Sequence, residues 1–241
     1  MGTVGILDAA EETLARSAAY RLLSQAMAYP TGASVAQLLE EDLAIAERLA
    51  ELMPAPVRAA LEETGEALRA ARPGSLEGAY AGAFSHVHSA DCSAFENDYA
   101  EGDVWRRSHQ MADIAGFYRA FGVTHPSERP DHVAVELEFL HLVSCKVAWA
   151  LACGDTEHAE ISAKAEERFL EDHVLRWMPG FAARLSRVPE AGPYRAVAGL
   201  LTAVLEAEAE RIGARPDASG MISEPEPEPE PDGVAACEDD G

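Results

Sequence analysis

Apolar residues recur with a period near 3.6 along almost the whole chain, and this spacing limits the fold more than any other feature. From Leu14 to Tyr29, two neighbouring apolar rows form one wide stripe that stops before Pro30. No stretch alternates convincingly between apolar and polar residues as a half-buried strand does. The sequence therefore predicts an all-α fold, a single-domain helical bundle.

The same spacing predicts about eight helices. Ser34 is the expected cap of the second helix, and Pro54 is expected to end it. Four more are predicted around Val57 to Leu68, from Ser75 to Phe84, from an Asp103 cap to Gly122, and from Tyr194 to Ile212.

The sixth and seventh helices carry the most specific predictions. The sixth is expected to begin after an Asp131 cap and to run to about Cys153. Its two apolar rows are Val133-Leu137-Leu140-Val147-Leu151 and Val135-Phe139-Leu142-Trp149. A helix that is apolar on two sides belongs in the middle of a bundle. The seventh is expected from about Thr156 to Trp177, with Pro179 bending or ending it.

Charge excludes one class of partner. The chain has 42 acidic and 19 basic residues, a formal net charge of −23, so it lacks the concentrated Lys and Arg that bind nucleic-acid phosphates. Residues 1–12 contain no Lys or Arg, unlike a secretory leader. No run of 18 apolar residues could span a bilayer. We expect a cytoplasmic protein without nucleic acid or stable membrane association.

The four cysteines and the C-terminal segment complete the organisation. The cysteines show no Cys-x-x-Cys spacing and are expected to be reduced, with Cys145 and Cys153 as small core residues. Residues 214–241 contain a repeated Glu-Pro sequence that cannot build a core. We therefore predict a helical domain over residues 1–213 and a disordered acidic tail over 214–241.

Two pairs of residues on the sixth helix have spacings that metal ligands use. His132 and Glu136 are four residues apart on one face, where they form either a metal-binding pair or a surface dyad. Glu138 and His141 have the Glu-x-x-His spacing of di-iron bundles, but point to the opposite side of the helix. A second Glu-x-x-His is missing from the chain. The alternative function, a metal-dependent helical enzyme, depends on one of these pairs.

Other chemistry is less well supported by the sequence. His86, His88, Asp91 and Cys92 are residue types that bind zinc, but their spacing matches no known zinc motif. The chain has no Gly-x-Ser-x-Gly turn for a nucleophile and no Gly-rich phosphate loop with Lys. We therefore assign no catalytic residue, no metal site and no cofactor.

Several segments resemble a known family. They are Glu96-Asn97-Asp98-Tyr99, the run from Met111 to Gly122 (MADIAGFYRAFG), Glu128-Arg129-Pro130-Asp131-His132, and Glu136-Leu137-Glu138-Phe139. Tyr80 to Phe84 and the spacing Phe169, His173, Trp177 add to the match. The sequence is similar to the TorD/DmsD/NarJ family of all-helical chaperones that mature molybdenum oxidoreductases. The run from Ala112 to Gly122, with Arg129-Pro130-Asp131-His132 after it, is most similar to the branch that serves type II dimethyl-sulfoxide-reductase-family enzymes.

The resemblance implies a binding protein rather than an enzyme. Its implied partner is the immature, molybdopterin-containing catalytic subunit of such an oxidoreductase. Contact is expected through an N-terminal leader with adjacent arginines and an apolar stretch. The role implied is to assist cofactor insertion and to prevent premature twin-arginine export. A chain of charge −23 would attract a basic leader.

The matched positions supply candidate client-binding residues. Tyr80, Phe84 and Tyr118 are expected to form an apolar floor. Pro130, Asp131, His132 and Glu136 are expected at its rim, where the polar side chains would accept hydrogen bonds from client arginines. Glu96 and Tyr99 are expected to be joints of a contact loop. Phe117 and Phe121 are interpreted as core residues.

Overall fold

The computed structural model describes residues 3–72, 74–84, 92–99, 104–124 and 129–215, without the side chains of residues 3, 4, 104 and 106. The prediction of an all-α fold is confirmed, since the described ranges contain helices and one isolated bridge. The helices are α1 (Thr3–Met27), α2 (Gly32–Gln37), α3 (Leu43–Arg48), α4 (Ala55–Ala70), α5 (Ser75–Phe84), α6 (Val104–Ala120), α7 (Val133–Ala152), α8 (Thr156–Phe169), α9 (Leu175–Leu185) and α10 (Tyr194–Ile212).

Two π-helical turns join pairs of these segments, so the ten α-helices of the described residues form eight continuous rods. Leu38–Asp42 connects α2 to α3, and Leu170–Val174 connects α8 to α9. The second rod is capped by Thr31 rather than Ser34, because Thr31 accepts from the backbone of Ser34 while the Ser34 hydroxyl bonds back. The seventh rod continues through Pro179 to the end of α9.

The core forms where α7 packs along α1 and α8, while α10 packs on α4 and α9. The first apolar row of α7 is buried at Val133, Leu137, Leu140 and Val147. The second row is covered only in part, because Trp149 at its end is 75% exposed. The expectation that α7 is enclosed on both sides is therefore wrong near its C-terminus.

Two cysteine predictions need correction. Cys153 is exposed and Cys145 is half-buried, so neither is a fully buried core residue. Cys145 lies beside the Ser17 hydroxyl, with 3.0 Å between Sγ and Oγ.

Some predictions fall outside the described residues. These are the zinc-like residues His86, His88 and Asp91, the cap Asp103, and residues 216–241 of the predicted tail. No helix among the described residues is both long and apolar enough to cross a bilayer.

Candidate functional site

The segment before α6 is tied to the start of α7 by a short antiparallel bridge. The Glu96 amide donates to the Asp131 carbonyl at 2.9 Å, and the Val133 amide donates to the Ala94 carbonyl at 2.8 Å. These two bonds place residues 94–99 against residues 131–133. Two of the segments that carry the family resemblance therefore meet in space.

Asp131 holds this junction from inside. Its side chain is fully buried, and its Oδ2 accepts the backbone amide of Asn97 at 3.2 Å. Arg129 donates to both carboxylate oxygens, at 3.0 and 2.6 Å, and its guanidinium lies 4.2 Å from the centre of the Phe95 ring. Asp131 therefore does not cap α7 and does not lie at an exposed rim, because its carboxylate oxygens accept hydrogen bonds from Asn97 and Arg129 of the same chain.

His132, rather than Asp131, is the N-cap of α7. Its Nδ1 accepts the backbone amide of Ala134 at 3.2 Å, which in the neutral ring places the proton on Nε2. The imidazole also meets the Phe95 ring edge to face, with 5.0 Å between centroids. His132 is largely buried, so the expectation of a surface dyad with Glu136 is wrong.

Glu136 is fully buried and bonds to α9. Its Oε2 accepts the indole N–H of Trp177 at 3.0 Å, while its Oε1 has no hydrogen-bond partner. Burial raises the pKa of Glu136 well above the ordinary value, and the nearby Glu96 carboxyl adds to that rise. This environment favours the neutral form of Glu136, and the enclosed side chain does not present a charged rim to a client arginine.

Glu96 is the second fully buried carboxyl group of this region. Its Oε1 accepts from the side-chain amide of Gln110 and lies 3.2 Å from Nδ1 of His173. The other ring nitrogen of His173 lies 3.3 Å from Oδ2 of the exposed Asp113. We call Glu96, Asp131, Glu136, His173 and Trp177 the polar cluster.

Two tyrosines pack beside the polar cluster. The Tyr118 hydroxyl donates to the Pro130 carbonyl at 2.8 Å, and burial next to Glu136 raises its pKa. The Tyr99 hydroxyl donates to the Ser93 carbonyl at 2.8 Å, and its ring lies 5.2 Å from that of Trp177. Both are buried, so Tyr99 packs as part of the loop's interior and does not itself offer an exposed contact surface.

Tyr80 and Phe84 are the predicted floor residues that remain half-buried. Their rings lie 4.6 Å apart, and Tyr80 also meets Tyr29, which is 60% exposed, at 5.3 Å. We call Tyr29, Tyr80 and Phe84 the aromatic face. The ring contacts of Tyr118 are with Phe139 and Phe169, so Tyr118 does not belong to this face.

Helix α9 connects the aromatic face to the polar cluster. Phe181 lies 6.2 Å from Phe84 and 5.5 Å from Trp177, whose indole bonds to Glu136. In the sequence, Trp177 stands out only through the Phe169, His173, Trp177 spacing of the family. Its four-residue spacing from His173 does predict that the two share a helix face.

The residues of the alternative metal site are not brought together. Glu138 is exposed and pairs with Arg21 at 3.2 Å, whereas His141 bonds to Ser17 at 2.8 Å. Among the described residues, no three His, Cys, Asp or Glu side chains are grouped as metal ligands.

The sequence profile of the family described as nitrate reductase delta subunit matches residues 50–183. The chain belongs to this family. The matched range contains the whole polar cluster, as well as Tyr80 and Phe84 of the aromatic face. The resemblance to the TorD/DmsD/NarJ family is thereby confirmed.

Several proteins that are similar in sequence to this chain are named as chaperones. The chain is 31% identical to the chaperone protein TorD of Vibrio cholerae over 103 residues, 41% of this chain and 44% of that protein. It is 26% identical to the perchlorate reductase assembly chaperone protein of Dechloromonas aromatica over 185 residues, 72% and 79%. It is 29% identical to the selenate reductase assembly chaperone protein of Thauera selenatis over 115 residues, 46% and 58%. The chain thus spans less than half the length of the TorD relative.

Proposed function

We propose that this protein is a cytoplasmic assembly chaperone, without catalytic activity, for a molybdenum oxidoreductase. Its client is the immature catalytic subunit of a type II dimethyl-sulfoxide-reductase-family enzyme, held while the molybdenum cofactor is inserted and twin-arginine export is delayed. The observation that carries this proposal is the similarity to the perchlorate reductase assembly chaperone over 79% of that protein. The similarity to the selenate reductase assembly chaperone supports the same client class.

The nine predicted client-binding residues have two different roles in this proposal. Tyr80 and Phe84 contact the client through the aromatic face, since both are half-buried there. Pro130 is also half-buried, but its carbonyl accepts the Tyr118 hydroxyl, and the other six residues are buried. The others keep the shape of the neighbouring surface by holding residues 92–99 against the start of α7. These others are Glu96, Tyr99, Tyr118, Pro130, Asp131, His132 and Glu136.

Because of these two roles, a mutation in the polar cluster tests the stability of the protein rather than client binding. Replacing Asp131 and His132 together by Ala would be expected to leave the fold intact if both were exposed contacts. Because both are buried and hold backbone amides, the double substitution destabilises the protein. Substitutions in the aromatic face are therefore the better test of binding.

The decisive experiment is capture of a defined client by the full chain. The tagged protein is mixed with the purified catalytic subunit of a type II family enzyme, prepared either without or with its molybdenum cofactor. We expect preferential binding of the cofactor-free subunit, and weaker binding by Tyr80→Ser. Ile45→Ser, which changes an exposed apolar residue on α3, is the control and should bind as the wild type does. Equal binding of both subunit forms would contradict the proposal.

A further inference from the structure

A second apolar surface lies along α7, apart from the aromatic face and the polar cluster. It is a groove of about 1220 Å³ between the N-terminal half of α1, the end of α6, α7 and α8. Its walls include Leu7, Leu14, Phe121, Trp149 and Ile161. We call it the α7 groove.

Half of the large apolar side chains that are exposed in the described ranges line the α7 groove. Of the eight large apolar residues that are exposed in the described ranges, four line it: Leu7, Leu14, Trp149 and Ile161. Single exposed apolar residues are common on protein surfaces, but a continuous group is typical of an interaction site. The cost of leaving Trp149 in water favours a partner that covers it.

The charges around the α7 groove favour a basic partner. Lys146 is the single Lys or Arg of its lining, and its Nζ lies 5.5 Å from the Phe121 ring centre. Glu11 and Asp155 also line it. Further exposed carboxylates on the same helices are Asp8 of α1 and Glu157 and Glu160 of α8, of which Glu160 pairs with Lys164 at 3.9 Å. A second copy of this chain would bring the same carboxylates and a charge of −23 to the interface, so charge disfavours self-association.

The length of the α7 groove suits a short helix. The α7 residues that line it extend from Leu142 to Ala152, about three helical turns, or on the order of 15 Å. A helix of that length can place one apolar face in such a groove, with anchors spaced by three and four residues.

We propose that the α7 groove binds a helical segment of a partner polypeptide that has one apolar face and Lys or Arg residues at its ends. The inference rests on the proposed function only for the identity of the polypeptide, which would be the client subunit. The apolar face covers Trp149 and Ile161, and the basic ends meet the carboxylates of α1 and α8.

The test uses the full chain and a synthetic amphipathic peptide, with Leu on one helical face and Lys at both ends, as the probe. Binding is measured by titration calorimetry at two salt concentrations. We expect Trp149→Glu and Ile161→Glu to weaken binding at least tenfold, because each places a charge in the apolar wall. Ile45→Glu, an exposed apolar site outside the α7 groove, is the matched control and should bind as the wild type does.

Two comparison peptides separate the contributions of shape and charge. A peptide of the same composition with its Leu residues scattered around the helix should bind at least tenfold more weakly. A peptide with Glu at its ends should also bind more weakly, with the difference shrinking at high salt. Equal affinity of Trp149→Glu and wild type for the Lys-ended peptide would overturn the inference.

Two other occupants are covered by the same set of variants. A dimer in sedimentation that Trp149→Glu dissociates, without peptide binding, would assign the α7 groove to a second copy and overturn the inference. Binding to vesicles of anionic lipid that is lost in Trp149→Glu, again without peptide binding, would overturn it in favour of a membrane.

Client capture distinguishes this inference from the proposed function. If the wild type and Trp149→Glu capture the cofactor-free subunit equally, the proposed function stands and the inference about the α7 groove fails. If neither captures the subunit while the wild type binds the Lys-ended peptide through Trp149, the proposed function fails and the α7 groove remains a peptide-binding surface.

Discussion

Trp177 of α9 donates its indole N–H to the buried carboxyl group of Glu136 on α7, across 3.0 Å and 41 residues of sequence. The bond joins the helix of Phe181, one of the rings that contact Phe84, to the helix whose start bonds to residues 94–96. It is therefore the point at which the aromatic face and the polar cluster are fixed relative to each other.

Removing that bond is expected to destabilise the protein. Trp177→Phe keeps an aromatic ring but leaves the buried Glu136 carboxyl without its donor, at a cost of about 1–3 kcal/mol. Chemical denaturation measures the free energy of unfolding. Trp149→Phe is the control, since Trp149 is exposed and should change stability by less than about 0.5 kcal/mol. Equal stability of the two variants would show that the indole bond contributes nothing.

The raised pKa of Glu136 predicts a particular pH dependence. Above the unfolded-state pKa of about 4.3, the unfolded chain releases a proton that folded Glu136 keeps. Folding stability from this group is therefore fully present below that pH and is lost as pH rises towards the folded-state pKa. Glu136→Gln, whose amide cannot titrate but can still accept from Trp177, should lose this decline.

The measurement is the free energy of unfolding across the pH range above about 4.3. Glu138→Gln, the same substitution at an exposed position two residues away, should retain the wild-type slope. A wild-type slope in Glu136→Gln would contradict a raised pKa of Glu136 in the folded protein.

Asp131 is expected to matter more than an exposed carboxylate with a similar partner. Asp131→Asn weakens the two bonds from Arg129 inside a buried junction, and should lower the free energy of unfolding by about 1–3 kcal/mol. Asp172→Asn removes the carboxylate of the exposed pair with Arg168 and should cost at most about 0.5 kcal/mol. Thermal and chemical unfolding would both have to rank Asp131→Asn as the less stable of the two.

Replacing either of two glycines of α5 by Ala should change the stability of the protein, in opposite directions. A methyl group on Gly82 would lie 2.8 Å from Cβ of Glu190, so Gly82→Ala forces α5 away from residues 189–191 and destabilises the protein. Gly78 has open space around it, and Gly78→Ala should stabilise the helix by up to about 1 kcal/mol. The melting temperatures of the two variants check this, and a rise for Gly82→Ala would contradict it.

The helices whose ends are predicted correctly are those whose sequence signals lie within the helix or directly beside it. The ends of α5 and α10 agree with the predicted Ser75 to Phe84 and Tyr194 to Ile212, because turn residues and the apolar stripe both lie within the segment. The π turn at Leu170–Val174 was missed, since it keeps the helix continuous and leaves no break in the apolar pattern.

The sequence predicted which segments lie together, but not that their carboxyl groups are buried. The family segments that named Glu96, Asp131 and Glu136 do meet, yet their carboxyl groups point inward. From the sequence alone, a carboxylate is expected to be exposed, because burying its charge is unfavourable unless other groups hydrogen-bond to it. For two of the three the partner is distant along the chain, since Trp177 donates to Glu136 and His173 lies beside Glu96. Asp131 pairs locally with Arg129.

The amino-acid sequence by itself determined the helical class, most of the rod boundaries and the family, because hydrophobic period and short motifs are read within one segment. Only the tertiary structure decided which apolar faces are covered and which charged groups are enclosed. A periodic stripe on α7 specifies a face that avoids water, but not whether a neighbouring helix reaches Trp149. The physical reason is that burial is a property of pairs of segments, and the distances between them are set by packing over the whole bundle.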